Sequence, residues 1–233
     1  MGSRAVGNLS PARRVERSSM KTLIWTATAA LVMALPAEAD DHHRVRTLTG
    51  DFATAGIQRV ELRLPPGAVR IEPSTDGRLH VELDVRCSFD DSRCEKRAER
   101  LNLETNRQGN TLELRVDGMS GMSALRFHIR GRILAPQGKA LEVDFPAGEL
   151  TIRGVRGDLN VDVGAGEVTI VMHEGDVRSV RLGVGIGEAS LSVAGRNIEG
   201  SGWLGQRVRW GEGAGSSRVA VNLGVGELGV TLD

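Results

Sequence analysis

The chain of 233 residues is poor in aromatic side chains, since it has no Tyr and only 3 Trp and 4 Phe. With so few aromatic residues, the core must be built mainly from Val, Leu, Ile and Ala. Such small side chains suit a thin interior between two closely facing sheets. The shortage also disfavours a sugar site built on aromatic platforms. Trp203 and Trp210 are the only Trp candidates for a surface ligand outside the N-terminal segment.

Neither sign of charge is in excess, because 30 basic residues balance 30 acidic ones. Residues 1–39 hold five of the basic and two of the acidic residues, so the remainder carries a net charge near −3. This balance gives no electrostatic case for a nucleic acid or an anionic membrane as partner.

A long apolar run is also absent except near the N-terminus, where Leu23–Leu35 follows Lys21 and precedes Ala37-Glu38-Ala39. A basic start, a short apolar stretch and a small-x-small site predict a signal peptide over residues 1–39 and an exported protein, periplasmic or at the cell surface. A membrane-anchored N-terminus is the alternative, although the run is short for a span. Residues 1–19 are either an extended basic region or an upstream start chosen in place of Met20.

Two cysteines, Cys87 and Cys94, are the whole complement. In an oxidising compartment such a pair predicts a disulfide. Free or metal-binding thiols are the alternative, but a six-residue spacer is not a zinc-ribbon spacing.

The last hundred residues of the chain contain four copies of one pattern, in which two alternating apolar runs flank a Gly-Glu pair. The copies are LEVDFPAGELTI from Leu141, LNVDVGAGEVTI from Leu159, VRLGVGIGEASL from Val180 and VAVNLGVGELGV from Val219. Each predicts a strand, a tight glycine corner and a second strand. The corner glycines, Gly148, Gly166, Gly187 and Gly226, are 18, 21 and 39 residues apart.

Repeats of roughly 20 residues predict stacked units, here a β-solenoid over residues 140–233. The long last gap predicts a degenerate coil, with Gly205-Gln206 near the expected Gly-Glu. Trp203 and Trp210 lie in that gap and either cover a coil edge or bind a ligand. The alternation predicts that these side chains point inward: Val143, Leu159, Val161, Val163, Val168, Ile170, Leu182, Leu191, Val221, Leu223 and Leu228.

Residues 40–139 carry 9 glycines against 19 in residues 140–233, which predicts a less regular N-terminal β lobe before the solenoid. A diverged fifth copy is predicted at VELRLPPGAVRIE from Val60, and one helical turn near residue 95. Alternation predicts further strands and a hairpin turn at Arg107–Asn110; the strands are Leu79–Val85, Leu101–Thr105, Thr111–Val116 and Leu125–Ile133. The fold class is therefore all-β.

The corner glutamates Glu149, Glu167, Glu188 and Glu227 are expected to approach one another if the repeats stack in register. Two hypotheses follow. The carboxylates share a cation such as calcium, or they extend into solvent or pair with arginines such as Arg153 and Arg181.

Catalytic and cofactor motifs are absent from the sequence. Gly183, Gly185 and Gly187 do not make a dinucleotide fingerprint, because Glu188 stands at the third glycine and a strand is expected to follow. The histidines 42, 43, 80, 128 and 173 form no zinc-protease motif, and there is no nucleophile elbow. Acid pairs such as Asp90-Asp91, or Asp162 with Glu167, leave a polysaccharide-cleaving enzyme as an alternative. We expect neither enzymatic activity nor a cofactor.

Signal cleavage after Ala39 would create a metal-binding N-terminus, Asp40-Asp41-His42. A histidine third from a free amine binds Cu(II) or Ni(II) in a square plane with the amine and two deprotonated amides. This chemistry needs a flexible end, which the polar stretch 40–46 is expected to provide. A soluble spacer is the alternative.

The alternation and the corner G-E-[apolar]-x-[apolar], together with the signal peptide, resemble the secreted bacterial β-solenoid family labelled "putative adhesin", a domain of unknown function. The likeness covers residues 141–233 and, more weakly, 58–85, with Glu at the corner where the family more often has Asp. The resemblance implies an exported structural or interaction module of the cell envelope without catalytic residues. Its partner would be an envelope protein or polysaccharide; the rivals are a polysaccharide-active enzyme and an envelope metal-binding protein.

Overall fold

A computed structural model describes residues 42–88, 91–119, 127–202 and 204–233. The predicted signal segment lies outside the described residues. The described chain is all-β, with one α-helix, α1 at Ser92–Ala98, and these strands: β1 His42–Phe52, β2 Arg59–Arg63, β3 Gly67–Pro73, β4 Leu79–Ser88, β5 Asn102–Gln108, β6 Thr111–Asp117, β7 His128–Ala135, β8 Ala140–Arg153, β9 Leu159–Met172, β10 Val177–Val193, β11 Arg196–Glu199, β12 Leu204–Trp210 and β13 Ser217–Leu232. In these ranges no helix is long and apolar enough to cross a membrane.

The strands form a large 13-stranded sheet with the order β1-β4-β7-β3-β8-β9-β13-β10-β11 along its main path. The four repeats are the long strands β8, β9, β10 and β13, which pair in parallel. Each bends at its corner glycine into a first arm, before the glycine, and a second arm, after it. Equivalent positions face each other, because Gly148 lies opposite Gly166, Gly166 opposite Gly226 and Gly226 opposite Gly187.

The spatial order of the repeats differs from their order in the chain. The last copy, β13, lies between β9 and β10, so the third copy occupies the outer position. At the other end, β2 and β3 from the predicted fifth copy pair in parallel with the two arms of β8, and Gly67 lies opposite Gly148. That this segment is a further repeat stays a prediction.

Glycine at the corner is required by close approach of the backbones. The corner glycines have positive φ values between +123° at Gly148 and +137° at Gly226. A Cβ on Gly166 would collide with the carbonyl oxygen of Gly148, and a Cβ on Gly226 with that of Gly166. Neighbouring corners can therefore nest in register only when each side chain is absent.

The corner also reverses which residue parity faces inward. In β9, Leu159, Val161 and Val163 are buried before the corner, whereas Val168 and Ile170 are buried after it. Both arms consequently direct apolar side chains into the same interior. All eleven core residues predicted from the alternation are buried, which confirms the core prediction.

In the described part of the gap between the third and fourth copies, which omits residue 203, there is no further parallel coil. β11 pairs antiparallel with the second arm of β10, and β12 pairs antiparallel with the first arm. Gln206 lies opposite Val184 in that pairing rather than at a corner. The degenerate-coil prediction was wrong because alternating apolar residues fit an antiparallel edge strand equally well.

The described N-terminal half contains strands at the predicted positions, although residues 125–126 of the predicted strand Leu125–Ile133 lie outside the described residues. β5 and β6 form an antiparallel hairpin that turns at Gly109. The predicted helical turn is α1, whose first turn is capped by Asp91: the carboxylate accepts from the backbone amides of Arg93 and Cys94 at 3.1 and 3.0 Å. Strand pairing between β2 and β8 crosses the predicted boundary at residue 139. That boundary stays a prediction.

The predicted disulfide is confirmed, because Cys87 at the end of β4 is bonded to Cys94 in α1. Both cysteines are fully buried. The bond ties the helix to the sheet.

Candidate interaction surface

The four corner glutamates form a continuous row across four parallel strands. Glu149 lies opposite Glu167, Glu167 opposite Glu227, and Glu227 opposite Glu188. All four are exposed, and parallel strands place successive members about 4.8 Å apart. We call these four residues the glutamate row.

The glutamate row extends into solvent, as one of the two hypotheses expected. Among the described residues no ion pair joins a member of the row to Arg153 or Arg181. In the same part of the chain no group of three or more His, Cys, Asp or Glu is placed to hold a metal ion. The calcium hypothesis therefore has no geometric support.

An apolar line runs parallel to the glutamate row, two residues before each glutamate, and continues onto β12. It consists of Ala147, Ala165, Val225, Ile186 and Leu204, each opposite the next in the sheet. The two alanines are half-buried, whereas 49% of Val225, 46% of Ile186 and 58% of Leu204 are exposed. We call these five residues the corner ridge. The well-exposed part of the ridge therefore lies on β13, β10 and β12.

A groove of about 480 Å³ opens beside the glutamate row at the same end. Four carboxylates line it, from Glu167, Glu227, Glu188 and Glu199. Its remaining described lining contains hydroxyl, amide and small apolar side chains but no Lys, Arg or His. We call this the acidic groove.

Positive charge lies at the opposite end of the row. Arg70, Arg130 and Arg132 on β3 and β7 line a depression with Glu149. Arg132 is also paired with Glu72 at 2.7 Å. Only the β9–β13–β10 end of the glutamate row is therefore remote from these three arginines.

A second polar cluster, missed at the sequence level, lies at the other edge of the sheet. The ring of His80 on β4 is held between two carboxylates, with Nδ1 bonded to Asp51 on β1 and Nε2 to Asp76 at 2.9 Å. Asp76 also accepts from the Ser74 hydroxyl at 2.9 Å and from the backbone N–H of Arg78 at 3.0 Å. In the sequence, the four-residue spacing of Asp76 and His80 could have indicated their contact. Asp51 could not have been found in this way, because it reaches His80 only through the pairing of β1 with β4.

The hydrogen bonds to His80 set the charges of this cluster. The bond from His80 holds the pKa of Asp76 well below its ordinary value, and the bonds to Asp76 and Asp51 raise the pKa of His80. The Ser74 hydroxyl donates to Asp76 rather than to the imidazole. The arrangement stabilises an imidazolium at the sheet edge and does not present an activated serine.

The other predicted ligand residues have separate locations. Trp203 lies outside the described residues, whereas Trp210 is half-buried against the core where β12 pairs with β10. A surface ligand at Trp203 and Trp210 stays a prediction. Asp162 is exposed on the first arm of β9 and accepts from Asn222 at 2.8 Å. Asp90 lies outside the described residues, and Asp91 caps a helix.

The predicted copper site is only partly described, because Asp40 and Asp41 lie outside the described residues. His42 begins β1, opposite Ser88, and its ring centroid lies 3.7 Å from that of His128. The flexible end predicted over residues 40–46 is wrong for its described part, because residues 42–46 belong to β1, which pairs with β4. The site itself stays a prediction, tested by titrating the mature protein with Cu(II) against a His42→Ala variant.

The glycines that suggested a nucleotide fingerprint have a packing role. Gly185 and Gly187 belong to strand β10, and no helix follows that strand. A Cβ on Gly185 would meet the carbonyl oxygen of Gly224 in β13. Close strand approach explains these glycines without a ligand.

Fold and surface together define an all-β protein whose parallel, bent strands expose an apolar ridge beside a row of carboxylates. No known family and no curated protein matches this chain. Three solved structures are similar at low identity. A "putative cell adhesion protein" from Clostridium sporogenes shares 13% identity, with 81% of this chain and 99% of that chain covered and a TM-score of 0.46.

The other two are described as a "putative adhesin". The protein from Parabacteroides merdae has 12% identity, a TM-score of 0.27 and coverage of 55% of this chain and 56% of that chain. The protein from Bacteroides fragilis has 12% identity, a TM-score of 0.26 and coverage of 79% and 97%. At these scores the likenesses assign neither family nor function to the present chain.

Proposed function

We propose that this chain is a non-catalytic, exported interaction module of the bacterial cell envelope, adhesin-like and built on a β-solenoid. The observation that carries the proposal is the in-register pairing of four bent, parallel strands, which places equivalent corner residues in continuous rows on the surface. A surface made of rows is a docking surface rather than a reaction centre, since it offers repeated identical contacts.

The solenoid architecture is supported by the spacing of the first coils. Gly148 and Gly166 are 18 residues apart and lie directly opposite each other on β8 and β9. The intervening chain thus returns to the same corner one strand further along. β13 then adds the next layer out of chain order, which makes the proposed solenoid discontinuous at its end.

Export is supported by two independent features of the chain. The sequence of residues 20–39 has the arrangement of a signal peptide, and Cys87 is bonded to Cys94, as is usual in oxidising compartments.

Absence of catalysis is supported by the placement of the acidic residues. The pair Asp162 and Glu167 belongs to two different arms of β9, separated by the bend at Gly166. Asp91 is committed to its helix cap, accepting two backbone amides. Glu167 lines the acidic groove but Asp162 does not, so this predicted pair does not flank one cleft, as glycoside hydrolysis requires.

Fractionation of bacteria that express the chain tests the proposal. We expect wild-type protein in the envelope fraction, cut near residue 39, and a variant lacking residues 1–39 in the cytoplasm. The envelope fraction should release the protein at high salt without any change in envelope polysaccharide. Recovery of wild-type protein only in the cytoplasm, or release of oligosaccharides by purified protein, would contradict the proposal.

A further inference from the structure

We propose that the corner ridge and the carboxylates beside it form a docking surface for a cationic amphipathic α-helix of a partner protein. This inference rests on the proposed interaction function and names the partner's chemistry. The surface consists of Val225, Ile186 and Leu204 of the ridge and Glu167, Glu227 and Glu188 of the row.

The first argument is exposure. Val225, Ile186 and Leu204 are each about half exposed and adjacent across three strands. In the described residues they are the large apolar side chains that remain exposed, while the repeats otherwise bury their apolar positions. A contiguous exposed apolar line beside polar residues is typical of an interaction site.

The second argument is charge. The acidic groove gathers four carboxylates without a basic side chain in its described lining. Three of these glutamates follow a ridge residue by two positions on the same strand. Uncompensated negative charge beside an apolar line favours a partner with a cationic stripe beside an apolar stripe, because complementary potentials orient the encounter and fix the register.

The third argument is spacing, which selects a helix over an extended strand. Successive residues of both lines are about 4.8 Å apart, because they lie on neighbouring strands. One helical turn advances about 5.4 Å, so the length of three helical turns differs from three strand spacings by only about 2 Å. Same-face residues of an extended chain advance about 6.8 Å and differ by about 6 Å over the same distance. Only a helix keeps both stripes aligned over the surface.

Direct binding of a designed probe tests this proposal. The probe is a fluorescein-labelled 18-residue peptide with Leu at helical i, i+3, i+4 and i+7 spacing and Lys along the adjacent stripe. Its controls are a scrambled peptide of the same composition and one with Glu in place of Lys. Fluorescence anisotropy measures affinity at low and moderate salt, and circular dichroism measures helix gained on binding.

Three protein variants locate the site. The row variant is E167Q/E188Q/E227Q, the ridge variant is I186S/L204S/V225S, and the charge-matched control is E99Q/E174Q/E212Q. We expect the row variant to bind about tenfold more weakly with a smaller salt dependence, because three exposed charge pairs each contribute a few-fold. The ridge variant should lose binding, and the control should match wild type. Thermal melts verify that each variant folds.

Several results would overturn the proposal. Equal binding of the scrambled peptide would mean that net charge alone attracts the probe. Unchanged affinity of a folded ridge or row variant would place binding elsewhere. A wild-type dimer in sedimentation that dissociates in the ridge variant would assign the ridge to a second copy of this chain.

The same variants separate this inference from the proposed function. A ridge variant that is exported and retained in the envelope like wild type would refute the docking surface alone. Wild-type protein that never reaches the envelope would refute the proposed function, whatever the peptide measurements show.

Discussion

Replacing Gly166 with alanine is the most informative perturbation of the corner. Its φ is +133°, a conformation that costs a non-glycine residue about 1–3 kcal/mol. In addition, the new Cβ would collide with the carbonyl oxygen of Gly148. Because this oxygen belongs to the backbone, the collision is relieved only if the strands shift. Forced backbone shifts in packed regions cost about 1–3 kcal/mol. The sum is about 2–6 kcal/mol, a large part of a typical domain's stability.

A matched control isolates the steric contribution. Gly77 also has positive φ, +72°, but a Cβ there would meet nothing within 4 Å. Gly77→Ala should therefore cost about 1–2 kcal/mol, as expected for left-handed backbone alone.

Thermal and urea unfolding followed by far-ultraviolet circular dichroism would measure both variants. A domain of this size loses about 2–4 °C per kcal/mol. We expect G166A to melt about 5–20 °C below wild type and clearly below G77A. If both variants melt at the same temperature, adjacent corners are not nested and the register described here is wrong.

Three further outcomes are expected. Val161→Asp buries an unpaired carboxylate in a fully buried position, so the variant should lose about 4 kcal/mol or more, and a wild-type melt would contradict the core assignment. Because the pKa of His80 is raised in the folded protein, its protonation stabilises the fold fully below pH 6.5, the ordinary value, and this stabilisation is lost as pH rises through the folded pKa. Because the pKa of Asp76 is lowered, its ionisation stabilises the fold above pH 3.8, and this stabilisation is lost as pH falls through the folded pKa. His80→Asn should remove the alkaline part of this dependence in melts between pH 5 and about 9, and an identical profile would refute the imidazolium cluster. Reduction of Cys87–Cys94, compared with a double serine variant, should lower unfolding free energy by about 2–3 kcal/mol, and an unchanged midpoint would show that the bond does not constrain the unfolded chain.

Local architecture was largely predictable because one physical requirement governs each repeat. The alternation of apolar residues at Val161 and Val163 predicts a strand with one buried face, and Gly166 predicts the corner that follows it. Both the strand and its bend are found in the structure. The in-register approach of the glutamates also follows, since equivalent corners stack. The corner ridge was not predicted, although it could have been read from the residue before each corner glycine.

The order of the strands was not predictable from alternation. Each copy presents the same apolar positions, so either Val221 or Leu182 would fit beside Val161 on the neighbouring strand. The pattern therefore does not favour pairing in chain order. In the structure, the segment that follows β10 returns as antiparallel β11 and β12 along the outer edge of β10, and β13 pairs between β9 and β10. The Asp51–His80 contact was hidden for the same reason, because it depends on the pairing of β1 with β4.

Cysteine cross-linking across the glutamate row tests the stacking account most directly. Glu167 lies opposite Glu227 on the neighbouring strand, whereas Glu188 lies two strands away from Glu167. Disulfides form when Cα atoms are within about 7 Å, so neighbouring positions about 4.8 Å apart can be bridged and positions about 9.6 Å apart cannot. Mild oxidation followed by peptide mapping should find the new bond in E167C/E227C and none in E167C/E188C. A bond in E167C/E188C and none in E167C/E227C would show that the repeats stack in chain order, contradicting the structure and the surface derived from it.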